Sequence, residues 1–128
     1  MDTPDLSGYT LLIAEDDPAS YKYFQATLKK SGAEMHHATN GNEAIELFKQ
    51  NPAIDLVLMD AMMPELSGFD ATKEIKKIKP EIPVIMLTAY ANFESIRKSV
   101  ASGCNDYLAK PIMADVLKVA VKKWLPAK

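Results

Sequence analysis

The chain reads as an α/β domain with a central parallel sheet and helices on both faces. Three short apolar runs, Leu11–Ala14, Leu56–Met59 and Val84–Leu87, are near-continuous rather than alternating. That pattern belongs to strands buried on both faces of a parallel sheet. Segments with helical spacing and capping residues lie between and after them. Two further runs, Ala33–Thr39 and Cys104–Leu108, are more polar and suit the sheet edges.

Each element has its own local reason. After the first strand, Asp17-Pro18 is an N-cap followed by proline at the first helical position. That helix is expected to run to about Lys30, with Phe24 and Leu28 inward and Gly32 ending it. Asn40, with Glu43 three residues later, opens the second helix, burying Ala44, Ile45 and Phe48. Ser67 with Asp70 starts the third in the manner of a capping box. Its Lys73, Lys76, Lys77 and Lys79 read as a solvated face. Asn92 opens the fourth helix, with Phe93, Ile96 and Val100 on one side. The last helix follows Pro111, carries Met113, Leu117, Ala120, Val121 and Trp124 as one amphipathic stripe, and stops at Pro126. Five β–α units with right-handed crossovers and polar edge strands two and five predict the flavodoxin-like order 2-1-3-4-5. One domain is expected over residues 1–128, with a core of about 9–125.

Composition bounds the function. The 128 residues are 48% hydrophobic and 25% charged, with a net charge of −2. Such a chain can bury a proper core, and nothing draws it as a whole to nucleic acid or anionic lipid. No apolar run approaches the roughly 18 residues of a membrane span. Asp2 and Asp5 stand where a signal peptide would be basic, so no export signal is read. Cys104 is the single cysteine, cannot form an internal disulfide, and makes the cytoplasm the expected location.

The chemistry sits where the strands end. The stretch LLIAEDDP runs from a buried segment straight into Glu15, Asp16 and Asp17. Two such charges about 5 Å apart repel by roughly 3 kcal/mol at an effective dielectric of about 20. Asp60 follows the third strand, Thr88 the fourth and Lys110 the fifth. In an open α/β sheet, ligands bind at the carboxyl ends of the strands. Glu15, Asp16 and Asp60 with one lysine leave excess negative charge, which a hard divalent cation such as Mg²⁺ offsets while keeping positions for a phosphate oxygen. Lys110 and the Thr88 hydroxyl suit an anion with several oxygens. Asp60 is the best placed nucleophile for phosphoryl transfer, giving an acyl phosphate, and Glu15 and Asp16 are better placed to hold metal.

Other residues have plainer readings. Asp17 serves as an N-cap, and Asp55 and Asp106 are strand-end residues. His36 and His37 are adjacent on a strand and point to opposite faces, so they do not share a metal. Met59, Met62, Met63 and Met86 read as core filler, Trp124 as packing, and Cys104 as a small buried apolar residue.

At this point a family resemblance is plain. LLIAEDDP, DLVLMDAMMPELSGFD, PVIMLTAYA and GCNDYLAKPI, in that order, resemble the motifs of response-regulator receiver domains of the CheY-like superfamily. The resemblance implies that Asp60 accepts a phosphoryl group from a phosphohistidine on a histidine kinase or histidine phosphotransfer domain. It implies direct Mg²⁺ binding by Asp16, Asp60 and the Met62 backbone carbonyl, with Glu15 acting through a metal-bound water and Mn²⁺ as a substitute ion. Lys110 would pair with the carboxylate and then the phosphate. Thr88, with Ala89 beside it, would bond the phosphate and move toward it, and Tyr107 would turn inward. The Lys110-Pro111 peptide is expected to be cis. Two departures stand out: Met62 replaces a frequent polar residue, and Tyr90 is bulky near the same opening, so both are expected to slow phosphoaspartate hydrolysis.

Output is expected through helix four, strand five and helix five, onto another protein, with the domain a monomer or a weak phosphorylation-dependent dimer. As an isolated domain it would be a self-phosphorylating acceptor rather than a conventional enzyme. DLSGYTLLIAEDD and NDYLAKPI resemble hybrid-kinase receivers, which favours an excised receiver over a free-standing regulator. Two rivals remain: a degenerate binding module without chemistry, and a haloacid-dehalogenase-like phosphatase. The latter places its nucleophile after strand one with a second Asp two residues on, unlike the adjacent Glu15-Asp16 here.

Overall fold

The computed structural model describes residues 3–90 and 92–128; Met1, Asp2 and Ala91, the last residue of PVIMLTAYA, lie outside the described residues. Strands β1 (Thr10–Ala14), β2 (Glu34–Ala38), β3 (Leu56–Asp60), β4 (Val84–Thr88) and β5 (Asp106–Ala109) alternate with helices. These are α1 (Pro18–Lys29), α2 (Gly41–Gln50), α3 (Gly68–Ile78), α4 (Phe93–Ser102) and α5 (Ala114–Trp124). All strands pair in parallel in the order β2-β1-β3-β4-β5, as the polarity of the edge runs predicted. Every residue of β1, β3 and β4 is buried, which is why their sequences do not alternate.

Two apolar layers sandwich the sheet. Phe24 and Leu28 of α1 and Leu117 and Val121 of α5 pack on Leu11, Ile13, Leu58 and Leu87. Ala44 and Phe48 of α2 and Ala71 and Ile75 of α3 pack on Leu12, Val57, Met59 and Met86. Four helices start on the expected caps. Asp17, Asn40, Ser67 and Asn92 each accept from the amide three residues on. Helix α1 ends at Lys29, before Gly32, which takes a positive φ of 85° in the turn beyond. No helix among the described residues is long and apolar enough to cross a membrane.

Helix α4 turns most of its apolar side away from the sheet. Phe93 is 83% exposed and Val100 68% exposed, whereas Ser99 and Ser102 are the residues it buries. The serine face can be buried at little cost because the helix satisfies it. The Ser99 hydroxyl donates to the Ser95 carbonyl at 2.9 Å, and the Ser102 hydroxyl to the Ser99 carbonyl at 2.6 Å. Periodicity located the apolar stripe but not the side on which the sheet lies.

Smaller readings also change. Lys76 is not part of a solvated face. Its ammonium donates to the Ile82 carbonyl at 2.6 Å and to Asn105 Oδ1 at 2.7 Å, tying α3 to the approaches of β4 and β5. Burial holds that ammonium below the ordinary lysine range. Met62 and Met113 are exposed rather than core residues, and Ile45 and Cys104 are only half-buried. The Cys104 thiol donates to the Ser99 carbonyl at 3.1 Å, and burial pushes its pKa up.

Candidate functional site

The site forms where β1, β3, β4 and β5 end side by side. Asp60 and Thr88 are the last residues of their strands rather than the first beyond them, 5% and 1% exposed. Lys110 follows β5, and its amide donates to the Thr88 carbonyl at 2.7 Å, extending the ladder by one rung. The Lys110-Pro111 peptide is cis, as the resemblance implied. These registers place the Lys110 ammonium 2.7 Å from Glu15 Oε1 and 3.2 Å from Asp60 Oδ1.

Glu15 is 1% exposed, and all its polar atoms are engaged. Its amide donates to the Ala38 carbonyl at 2.9 Å, and its carbonyl accepts from His37 Nε2 at 2.8 Å. Its carboxylate accepts from Lys110 on Oε1 and from the Asp17 amide on Oε2 at 3.3 Å. Asp16, next along the turn, is exposed. Asp17 caps α1, its Oδ2 accepting from the Ser20 amide and hydroxyl, and those bonds hold its carboxyl below the usual range.

The electrostatics follow from burial. Burial first, and then the Glu15 charge, push the Asp60 carboxyl up to about 7, against the opposing pull of Lys110. Burial alone would lower the Lys110 pKa. The Glu15 hydrogen bond and the charges of both carboxylates outweigh it, and the net shift is upward. Glu15, Asp60 and Lys110 together carry one excess negative charge when all are ionised, and Asp16 adds another. Glu15, Asp16 and Asp60 each offer a carboxylate oxygen within 4.8 Å of the others. An all-oxygen, negatively charged set of this kind fits a hard divalent cation.

Thr88 is turned toward α4. Its hydroxyl accepts from the Tyr90 amide at 3.1 Å and lies 3.0 Å from Ser95 Oγ and 3.1 Å from the Tyr90 carbonyl. A cavity of about 140 Å³ adjoins it, lined by residues including Ala61, Met62, Phe69, Tyr90 and Ser95. Ala89 links Thr88 to the exposed Tyr90, and Tyr107 is 37% exposed on β5. Behind Asp60, the Gly68 amide donates to the Ala61 carbonyl at 2.9 Å.

Two residues of this neighbourhood escaped the sequence reading. Ser95 holds Thr88, and the only signal for it was the Ser95, Ser99, Ser102 spacing on the face that looked polar. His37 holds the Glu15 turn; its adjacency to His36 drew attention to metal binding rather than to the loop beyond β1. Two plain readings hold a structural duty instead: Asp55 accepts from the Thr10 amide at 2.9 Å, and Asp106 accepts from the Trp124 indole at 3.0 Å.

Comparison with known proteins points the same way. The sequence model described as "Response regulator receiver domain" matches residues 11–122. The transcriptional regulatory protein ZraR of Klebsiella oxytoca is 36% identical over 115 residues, which is 90% of this chain and 26% of that protein. The hybrid signal transduction histidine kinase B of Dictyostelium discoideum is 36% identical over 129 residues, covering 90% of this chain and 6% of that protein. The chain thus spans about a quarter or less of the length of these two curated relatives. A response regulator receiver domain protein of Clostridium thermocellum superposes with a TM-score of 0.84 at 32% identity, covering 91% of this chain and 93% of its own. With the family model matching residues 11–122 and the strand order 2-1-3-4-5, the chain belongs to the response regulator receiver domain family.

Proposed function

We propose that this domain is an aspartyl-phosphate switch in which Asp60 accepts a phosphoryl group from a phosphohistidine on a histidine kinase or histidine phosphotransfer domain. The observation that carries the reading is Lys110, whose ammonium contacts both Glu15 and Asp60 from a third strand. In the transfer, an Asp60 oxygen attacks phosphorus and the phosphorus–nitrogen bond breaks. The departing imidazole keeps that electron pair and takes up a proton, and Asp60 becomes an acyl phosphate. Mg²⁺, or Mn²⁺ in its place, would be held by Asp16, Asp60 and the Met62 carbonyl and would supply positive charge against the phosphoryl oxygens. Glu15 orients Lys110 and acts on the ion at one remove, since both its oxygens already have donors.

Switching follows from the donors around Thr88. Its single hydroxyl proton can go to a phosphate on Asp60 only if the contacts with Ser95 Oγ and the Tyr90 carbonyl rearrange. That exchange couples phosphorylation to the first turn of α4, and Tyr107 on the neighbouring strand can follow inward. The readout face is α4–β5–α5, where Phe93, Val100, Tyr107, Met113, Val116 and Val119 are exposed. A downstream protein is the partner there, with a weak phosphorylation-dependent dimer as an additional use of the face. The receiver unit spans about residues 9–125 and works in the cytoplasm. The match to a hybrid kinase supports a hybrid-kinase parent; a native start at Met1 together with a stop codon directly after Lys128 in the parent gene would overturn that assignment.

Acetyl phosphate with Mg²⁺ is expected to add one phosphoryl mass, labile to hydroxylamine and lost in Asp60→Asn. Retention of the adduct in Asp60→Asn would reject the acceptor assignment. The absence of any adduct, with kinase-driven labelling also missing, would favour a binding module without chemistry.

Met62 and Tyr90, both exposed at the mouth, offer no polar group two residues beyond Asp60 and a bulky ring two beyond Thr88. The Met62 thioether carries no N–H or O–H with which to orient an attacking water. Met62→Asn is therefore expected to speed dephosphorylation by about 3- to 10-fold, the scale of one added hydrogen bond. A rate no faster than that of the parent rejects the tuning role.

A further inference from the structure

We propose that His37 is a positioning residue for the acidic turn: its imidazole Nε2–H holds the Glu15 carbonyl and so fixes where Glu15 and Asp16 present their carboxylates. The proposal rests on the reading that this turn takes part in divalent-cation binding.

At the end of β1 the chain leaves the sheet. The Glu15 amide still bonds the last residue of β2, Ala38. The Glu15 carbonyl accepts instead from a side chain, His37 Nε2 at 2.8 Å. A carbonyl can only accept, so Nε2 carries the proton. The ring is clamped as well as bonded. Tyr21 of α1 stacks on it with centroids 3.5 Å apart and planes 7° from parallel. Tyr21 is itself tied to the turn, because its amide donates to the Asp17 carbonyl at 3.0 Å. The Asp17 amide in turn donates to Glu15 Oε2. Glu15–Asp17, α1 and β2 thus form a closed ring of contacts, and His37 is the side chain that joins β2 to it, beside the backbone bond from Glu15 to Ala38.

The consequence is geometric. If the Glu15 peptide rotates, Oε1 moves away from Lys110, and the next residue, Asp16, swings its carboxylate away from Asp60. Mg²⁺ demands near-ideal octahedral ligands, so small displacements weaken it. His36, one residue earlier, lies 3.9 Å from Glu34 and has no part in this ring.

Two substitutions separate the ring from the donor. His37→Phe keeps a ring to stack on Tyr21 and removes the N–H. His37→Gln places an amide N–H at similar reach and removes the ring. Mg²⁺ binding to the unphosphorylated protein is measured by calorimetry, beside urea unfolding. His37→Phe is expected to weaken Mg²⁺ binding by about 3- to 10-fold with a near-parental urea midpoint. His37→Gln is expected to stay within about twofold of the parent. Parental affinity in His37→Phe overturns the proposal, and so does equal weakening in both variants, which would assign the effect to ring packing. Should His37→Phe fail to fold, His37→Leu takes its place under the same criteria. No binding heat in the parent would instead reject the metal reading, and this proposal with it.

Discussion

Lys110→Met is expected to lower the stability of the metal-free protein at pH 8 by about 3 kcal/mol, the lower end of the cost of removing one partner from a buried ion pair. Lys110 is the cation in contact with two carboxylates that are almost fully buried, Glu15 and Asp60. Without it, one of them must take up a proton or remain charged without a partner, and proton uptake caps the penalty. The pH dependence has a definite sign. Burial and Glu15 already raise the Asp60 carboxyl to about 7, above its value of roughly 4 in the unfolded chain. The stability from protonating Asp60 is therefore complete below pH of about 4 and is lost as pH rises through about 7. Metal-free parent should weaken over that window, and Lys110→Met should weaken more steeply, because Lys110 opposes the shift. Urea unfolding at pH 5 and pH 8 reads the difference. Adding Asp60→Asn to Lys110→Met should restore most of the loss at pH 8 by removing one of the two carboxylates. Equal stability of parent and Lys110→Met at pH 8 would show that the ion pair does not hold these strand ends together.

Gly68→Ala is expected to cost about 3 kcal/mol or more, at or beyond the upper end for overpacking. Gly68 is the first residue of α3, and a β-carbon there would overlap the carbonyl of Asp60. The obstacle is room rather than conformation, since its φ is not positive. The atoms it would meet, the Asp60 carbonyl and the Ala61 Cα, are all backbone, so no side chain can rotate out of the way. Either α3 lifts off the end of β3 or Asp60 moves, and phosphoryl uptake should fall along with stability. Gly8→Ala is the contrast: its φ is +88°, but nothing lies within 4 Å of the added carbon. Only conformational strain of about 1–2 kcal/mol is expected there. A loss below about 1 kcal/mol in Gly68→Ala, read by urea unfolding, would mean that the helix end can shift freely.

The site was legible to the extent that strand register made it so. Asp60 and Thr88 end their strands and Lys110 directly follows the fifth, and neighbouring strands in a parallel sheet bring their ends together, whatever the helices do. Glu15 and Asp16 announced themselves by repelling each other at the mouth of a buried run. The partners that orient these groups carried no such mark. Ser95 and His37 are ordinary residues until α4 and β2 are laid beside β4 and β1, and Gly68 is an unremarked first helical residue until α3 lies over Asp60.

By itself the sequence determined the five β–α units, their edge strands, the strand order and four helix caps. Those features depend on the period of apolar residues and on bonds between residues three apart, which any short segment contains in full. Only the tertiary structure decided that α4 turns its serines inward and its Phe93 and Val100 out. It also decided that Lys76 bridges two strand approaches and that His37 reaches back to Glu15. These outcomes depend on which carbonyls and ring faces a side chain meets across the fold, and such meetings are settled by packing between segments far apart in the chain.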